Sequence, residues 1–223
     1  MFKKTSKWFI AMAVVTLLLG ACSSGGGSDE VVATVNGKDI LKKDYEVEIE
    51  NTKTSYEQQG IKFDELESKQ KEELEKSVLD QLINTELILQ TAKEDGVSVE
   101  QDEVDSELDA IKSQFEEDKQ FKEALEKNKL TEEQLGEQVK KQLIITKYID
   151  NNVGELSATD EELQAVYNQY KESAETQEQE PEDFKTMKPK LEQQVLAQKK
   201  SKKVNELIEE LRKTNEENIE ILL

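Results

Sequence analysis

The chain of 223 residues has no histidine, one cysteine, one tryptophan, two prolines and nine glycines. Each shortage excludes something. Without histidine there is no Ser-His-Asp or Cys-His nucleophile system and no His-ligated zinc. A single cysteine, Cys22, rules out an intramolecular disulfide and any multi-cysteine metal site. So little proline and glycine speaks against a turn-rich β-sandwich. Positive charge is also short: 30 Lys and Arg stand against 50 Asp and Glu, a formal net charge of −20. That balance argues against nucleic acid, whose phosphates are met by clustered Lys and Arg. Apolar residues make up only 35% of the chain, too few for a thick globular core.

What is present begins with an address. Lys3, Lys4 and Lys7 precede an apolar run over residues 8–18, which is too short for a usual membrane-spanning helix. Leu19-Gly20-Ala21-Cys22 follows and resembles a bacterial lipobox. That resemblance implies cleavage after residue 21 and diacylglycerol on the Cys22 thiol. Two acyl chains hold a protein stably where one is marginal. Residues 23–28 are Ser and Gly only, a composition that behaves as flexible coil. The expected organisation is a lipoprotein signal peptide over 1–21, a lipidated tether over 22–29 and a folded body over 30–223. The body would work, without ATP, on the extracytoplasmic face of a bacterial membrane.

Residues 31–35 (Val-Val-Ala-Thr-Val) read as a strand, and Asn36-Gly37 is a strong hairpin signal because both residues tolerate positive φ. From Ile40 onward the pattern is helical. Helices are predicted over residues 42–59 with a thin apolar face, and over 64–94 with apolar groups on more than one face. Ser98-x-x-Gln101 reads as a capping box ahead of a stripe of Val104, Leu108, Ile111 and Phe115. A short helix is predicted around residues 121–125. Thr131-x-x-Gln134 and Thr159-x-x-Glu162 open two more. Residues 172–182 are polar and read as loop, Phe184 as packing back, and residues 189–213 as one long helix. The apolar segment 218–223 is the other strand candidate. Pairing it with residues 31–35 puts both ends of the body in one small sheet.

These segments resemble a known family. Val32-Ala33-Thr34-Val35-Asn36-Gly37-Lys38-Asp39-Ile40, with Tyr45 after it, looks like the opening of the SurA/PrsA-type chaperone N-terminal domain. Residues 81–92, with Gly96-Val97-Ser98-Val99 and Glu103-Val104-Asp105, are similar to that family's central helix and its exit. Thr159-Asp160-Glu161-Glu162-Leu163 with Tyr167, and Phe184 with residues 188–194, resemble the segments on either side of the catalytic insert in PrsA foldases. The resemblance implies a mainly α, multi-helix chaperone domain with an open cleft, plus a small β-sheet. Its N-terminal part would be residues 30–174 and its C-terminal helix and strand residues 183–223.

The departure is the interval 175–182. Many family members carry a parvulin prolyl isomerase domain there, which needs about 100 residues and a histidine-containing site. The expectation is therefore a chaperone body that is not an enzyme and needs no cofactor or metal. It would bind unfolded or partly folded exported polypeptides and touch the membrane through acylated Cys22. Its oligomeric state is left open. Phe115, Phe121, Leu125, Leu130, Tyr167 and Tyr170 are the candidate peptide contacts, and each also reads as ordinary core. Two other functions were weighed. A structural or adaptor lipoprotein would dock one fixed envelope partner with salt-sensitive affinity. A prolyl isomerase would speed cis/trans exchange of a proline peptide.

Overall fold

The computed structural model describes residues 30–128, 130–176 and 179–223. The segments expected as signal peptide (1–21) and tether (22–29), Cys22 included, lie outside the described residues. The chain opens with a hairpin, β1 (Val31–Val35) and β2 (Lys38–Leu41). Asn36 and Gly37 adopt φ of 49° and 77°, the positive values a tight two-residue turn requires. Then come α1 (Lys42–Gln58), a 3-10 turn at Phe63–Glu65, α2 (Ser68–Glu94), α3 (Gln101–Lys112), α4 (Asp118–Lys127), α5 (Glu132–Val153), α6 (Asp160–Thr176) and α7 (Phe184–Thr214). A last strand, β3 (Ile219–Ile221), completes the sheet.

The sheet order is β2-β1-β3, antiparallel throughout. β3 lies beside β1 with Val35 opposite Ile219 and Ala33 opposite Ile221. The pairing of the two ends, inferred from composition, is thus what forms. α2 covers one face of the sheet: Leu79, Ile83 and Leu87 meet Val32, Ala33, Val35 and Ile40. Those three positions on α2 are spaced four apart, the spacing that keeps one helical face on the strands.

Further along α2, Ile88 and Ala92 join Ile144, Ile145 and Tyr148 of α5 and Leu207, Ile208 and Leu211 of α7. α3 lays Val104, Leu108 and Ile111 on Leu135, Val139 and Leu143 of α5. Finally, α6 and the first half of α7 pack on each other through Leu163, Val166, Tyr167, Met187, Leu191 and Val195. Among the described residues most of the buried apolar side chains therefore gather in four small clusters, in keeping with the low apolar content. α7 changes partner along its length, from α6 to α2 and α5. Its charged middle carries Lys199, which donates to Glu162 at 2.8 Å and to the Ser157 carbonyl at 2.8 Å.

Several boundaries differ from those the sequence suggested. The boxes at Thr131 and Thr159 form with both reciprocal bonds. Ser98 does not cap α3, which begins at Gln101 after an extended Glu100. α7 begins at Phe184, not Pro189, because the Asp183 carboxylate accepts from the Thr186 N–H at 3.0 Å. Pro189 sits inside the helix and removes one backbone bond. Burial of Met187 and Leu191 on α6 offsets that loss. Residues 172–176, read as loop, extend α6. Glu and Ala are good helix formers, and Ala174 is buried in this stretch.

Candidate peptide-binding groove

α1 contributes little to the core: Ile49 is its single buried residue. Open ground lies on both sides of it. On one side, between α1, α2 and β3, is a groove of about 680 Å³. Its apolar lining is Tyr45 and Ile49 from α1, Leu79 from α2, Ile221 from β3 and Leu223 just beyond it. Helical spacing places Tyr45 and Ile49, and Glu75 and Leu79, one turn apart on facing helices. On the other side, between β2, α1, α2 and α5, a groove of about 560 Å³ exposes Val47 with Leu82, Leu89 and Ile145.

The rim of the first groove is acidic. Five carboxylates line it, Glu46, Glu50, Glu72, Glu75 and Asp80, against two ammonium groups, Lys53 and Lys76. Asp80 is paired with Arg212 at 2.8 Å, and Glu50 lies 3.8 Å from Lys53. The Tyr45 hydroxyl donates to the Glu75 carbonyl at 3.4 Å. Burial first, and the Glu75 charge second, push its phenol up, so it stays neutral in ordinary buffers. Glu46, Glu72 and Glu75 are exposed and carry the remaining negative field. The arrangement suits reversible apolar contact with charge discrimination at the edges. Among the described residues no three acids gather as a cation site, and no helix is long and apolar enough to cross a membrane.

The residues picked from sequence lie elsewhere, in two places. Phe115 and Phe121 meet edge-on with ring centres 5.6 Å apart, Phe121 buried and Phe115 half-buried. Leu125 and Leu130 are half-buried, and the Leu130 N–H closes onto the Leu125 carbonyl at 2.9 Å. Tyr167 and Tyr170 fasten the joint between α6 and α7. The Tyr167 hydroxyl donates to the Glu182 carbonyl at 2.9 Å, and the Tyr170 hydroxyl accepts from the Glu182 N–H at 3.1 Å. Tyr167 also meets Phe184 edge-on at 5.2 Å, so Phe184 does pack back. The groove residues Tyr45, Ile49, Leu79 and Ile221 were not singled out. Their signal was present in the thin face of α1, where Tyr45 and Ile49 stand one turn apart with few apolar companions.

A helical body tied by a three-stranded sheet, with apolar grooves flanking one loosely packed helix, has the architecture of a chaperone-type domain. The comparisons agree: the family model described as "SurA-like N-terminal domain" matches residues 1–149, and the chain belongs to that family. It thus stands in a chaperone and foldase group. It is 31% identical over 182 residues to the "Foldase protein PrsA" of Caldanaerobacter subterraneus subsp. tengcongensis, covering 75% of this chain and 52% of that one. The protein of the same name from Clostridium botulinum strain Langeland is 30% identical over 151 residues, 62% of this chain and 44% of the relative. That from strain Loch Maree is 28% identical over 178 residues, 72% and 52% respectively. The chain spans about half the length of the curated relatives it matches.

Proposed function

We propose that this protein is a membrane-anchored, ATP-independent extracytoplasmic chaperone that holds unfolded exported polypeptides and releases them by equilibrium. The observation that carries this reading is the groove between α1 and α2, with its floor of Tyr45, Ile49 and Leu79 and its charged rim. Apolar contact of this kind is indifferent to sequence, and the groove is large enough for several client side chains. The half-buried Phe115, Leu125 and Leu130 would add a second apolar surface, with Phe121 as its buried support. Tyr167 and Tyr170 would act by keeping the α6–α7 joint closed. No covalent step is required of any residue. Cys22, acylated, would hold the body at the membrane while the Gly/Ser tether gives it reach.

The test is suppression of aggregation. Residues 23–223 are mixed with several unrelated denatured reporter proteins as these are diluted from denaturant, without ATP. Dose-dependent suppression that survives moderate salt is expected. No suppression at several-fold excess would sink the reading and shift weight to an adaptor with one fixed partner. The anchor is read alongside, in cells: the wild-type chain should sediment with membranes and Cys22→Ser should not.

A further inference from the structure

β1 is the middle strand of the sheet, so β3 is an edge. The ladder shows which way its backbone points. The Leu222 N–H donates to the Val32 carbonyl at 2.9 Å, and the Asn36 N–H donates to the Asn218 carbonyl at 2.9 Å. Bonding residues alternate along an antiparallel pair, so positions 218, 220 and 222 face β1 and positions 219 and 221 face away from it. The Ile219 N–H is used by the preceding turn, in a bond to the Glu216 carbonyl. The Ile219 carbonyl and both backbone groups of Ile221 are left on the outer edge. Among the described residues, none of the hydrogen bonds takes them.

This edge and the groove share a residue. Ile219 packs on the cluster formed by α2 and the sheet, and Ile221, on the same face two residues on, lines the groove with Leu79. Ile221 is 53% exposed. Sheet edges are ordinarily blunted by Lys, Pro or a bulge. β3 has no Lys, Pro or bulge; its one charge, Glu220, lies on the face opposite Ile219 and Ile221, so on the groove side it is blunted by its length. A three-residue edge pairs weakly unaided, and the adjoining groove supplies the apolar burial that would make pairing stable.

We propose that an extended peptide of alternating apolar and basic residues binds as a fourth strand on β3, its apolar side chains lying in the groove between α1 and α2. This deepens the client-binding reading and rests on it. The α1 wall from Tyr45 to Lys53 is about 12 Å long, which an extended chain covers in about four residues. Apolar residues at every second position would point to the groove, and those between them to the opposite face, beside the exposed Glu220 of β3. Glu220 on that face, and the wider field of the rim's five carboxylates against Lys53 and Lys76, favour Lys or Arg there. Arg212 holds Asp80 and Lys53 lies 3.8 Å from Glu50, which leaves Glu46, Glu72 and Glu75 as the main attraction. The same field disfavours a second copy of the chain. Two-fold pairing of β3 with itself would bring two such rims together on proteins of net charge −20.

The test uses the full chain held in phosphatidylcholine nanodiscs and read by fluorescence anisotropy. The probes are labelled peptides of about eight residues, long enough to span the wall with overhang. One alternates Leu and Lys, one alternates Leu and Glu, and one is the Leu/Lys peptide with alternate amides N-methylated. The Leu/Lys peptide should bind about tenfold more tightly than Leu/Glu, the sum of several exposed charge contacts. N-methylation of the pairing edge should abolish binding. Ile221→Pro removes an N–H that β1 does not use, so its melting temperature should hold while Leu/Lys affinity falls about fivefold.

Should Ile221→Pro not fold, the double variant Glu72→Lys with Glu75→Lys alters only exposed positions and should reverse the charge preference. Equal affinity for all three peptides would overturn the proposal. So would a concentration-dependent dimer that Ile221→Pro dissolves, since the edge would then belong to a second copy. If unlabelled reporters are still protected from aggregation while N-methylation and Ile221→Pro change nothing, the edge proposal fails and the chaperone reading stands. If the wild-type chain protects no reporter, the underlying reading fails instead.

Discussion

The sheet with α2 and the pair of α6 with the first half of α7 bury aliphatic side chains equally well, yet they are built from different ranges of sequence. Ile83 in the first is fully buried and Leu191 in the second is 1% exposed. Around Ile83 gather residues from Val32 to Ile219, almost the whole body. Around Leu191 gather residues from Ala158 to Val195, a single helical hairpin closed by Tyr167, Tyr170 and Glu182. Equal burial thus carries unequal reach. A defect in the sheet cluster should be felt everywhere, and a defect in the hairpin should stay local.

The largest expected effect comes from cutting the same volume out of each. Ile83→Ala should lower global stability by about 3 kcal/mol, and Leu191→Ala should cost the hairpin about the same. Native-state hydrogen exchange separates them. In Ile83→Ala the amides of β1, α2 and β3 should lose protection together. In Leu191→Ala the loss should be confined to α6 and the first half of α7. Equal loss in α2 would mean the two regions form one cooperative unit and would break the comparison.

A smaller effect is expected where the regions are linked. Arg212, in the second half of α7, donates to Asp80 at 2.8 Å and to Asn84 at 2.7 Å on α2. The pair is about one-third exposed, so Arg212→Met should cost only about 1 kcal/mol, read as a modest fall in melting temperature. It also strips Asp80 of its counter-charge at the groove. The affinity of a basic peptide should therefore rise even as stability falls. A fall in both would show that Arg212 holds the groove's shape.

The smallest effect concerns acid. The Lys199 ammonium, hydrogen-bonded to Glu162, holds that carboxyl below its ordinary value of 4.5, with the Thr159 N–H bond adding to it. A carboxyl lowered in the folded state contributes stability that is present above 4.5 and is lost as pH falls below it through the folded value. The hairpin should loosen slightly as pH drops below 4.5, and Glu162→Gln should flatten that dependence. Exchange rates of α6 amides against pH check this. An unchanged slope in Glu162→Gln would assign the acid response to other carboxylates.

Legibility in the sequence followed the range of the contacts. The Asn36-Gly37 turn, the boxes at Thr131 and Thr159 and the Val104, Leu108 and Ile111 positions of the α3 stripe are local chemistry and form where their residues stand. Phe115, by contrast, falls beyond the helix end at Lys112 and packs on Phe121. The pairing of β3 with β1 was legible for another reason, since two apolar β-branched segments were all the chain offered for a sheet. α7 starts ahead of the expected Pro189 because the Asp183 cap, six residues before it, already supplies a start. Tyr148 is buried because α2 and α7 close over it together, which no spacing within α5 reports. The groove was hardest to see. It is made by what α1 does not cover, and no spacing along one helix reports the distance to the next. Aromatic residues such as Phe115 and Tyr167 stood out more than Ile49 or Ile221, though α1 and β3 do more to shape the open surface.

The position of β1 has a consequence for how the chain reaches this state. Its two neighbours in the sheet are contributed at opposite extremes of the sequence, β2 at once and β3 roughly 180 residues later. The hairpin can close within microseconds of being made, but β1 then waits with one side unpaired until the helices have arranged themselves. Joining β3 closes a very long loop, an entropic cost that grows only slowly with length and is met by the contacts α2 and α7 have already made. In chain order the sheet is therefore the first structure begun and the last completed. During that interval β1 presents Val32, Ala33 and Val35 with an unsatisfied edge, and the young protein resembles the kind of substrate it is proposed to hold.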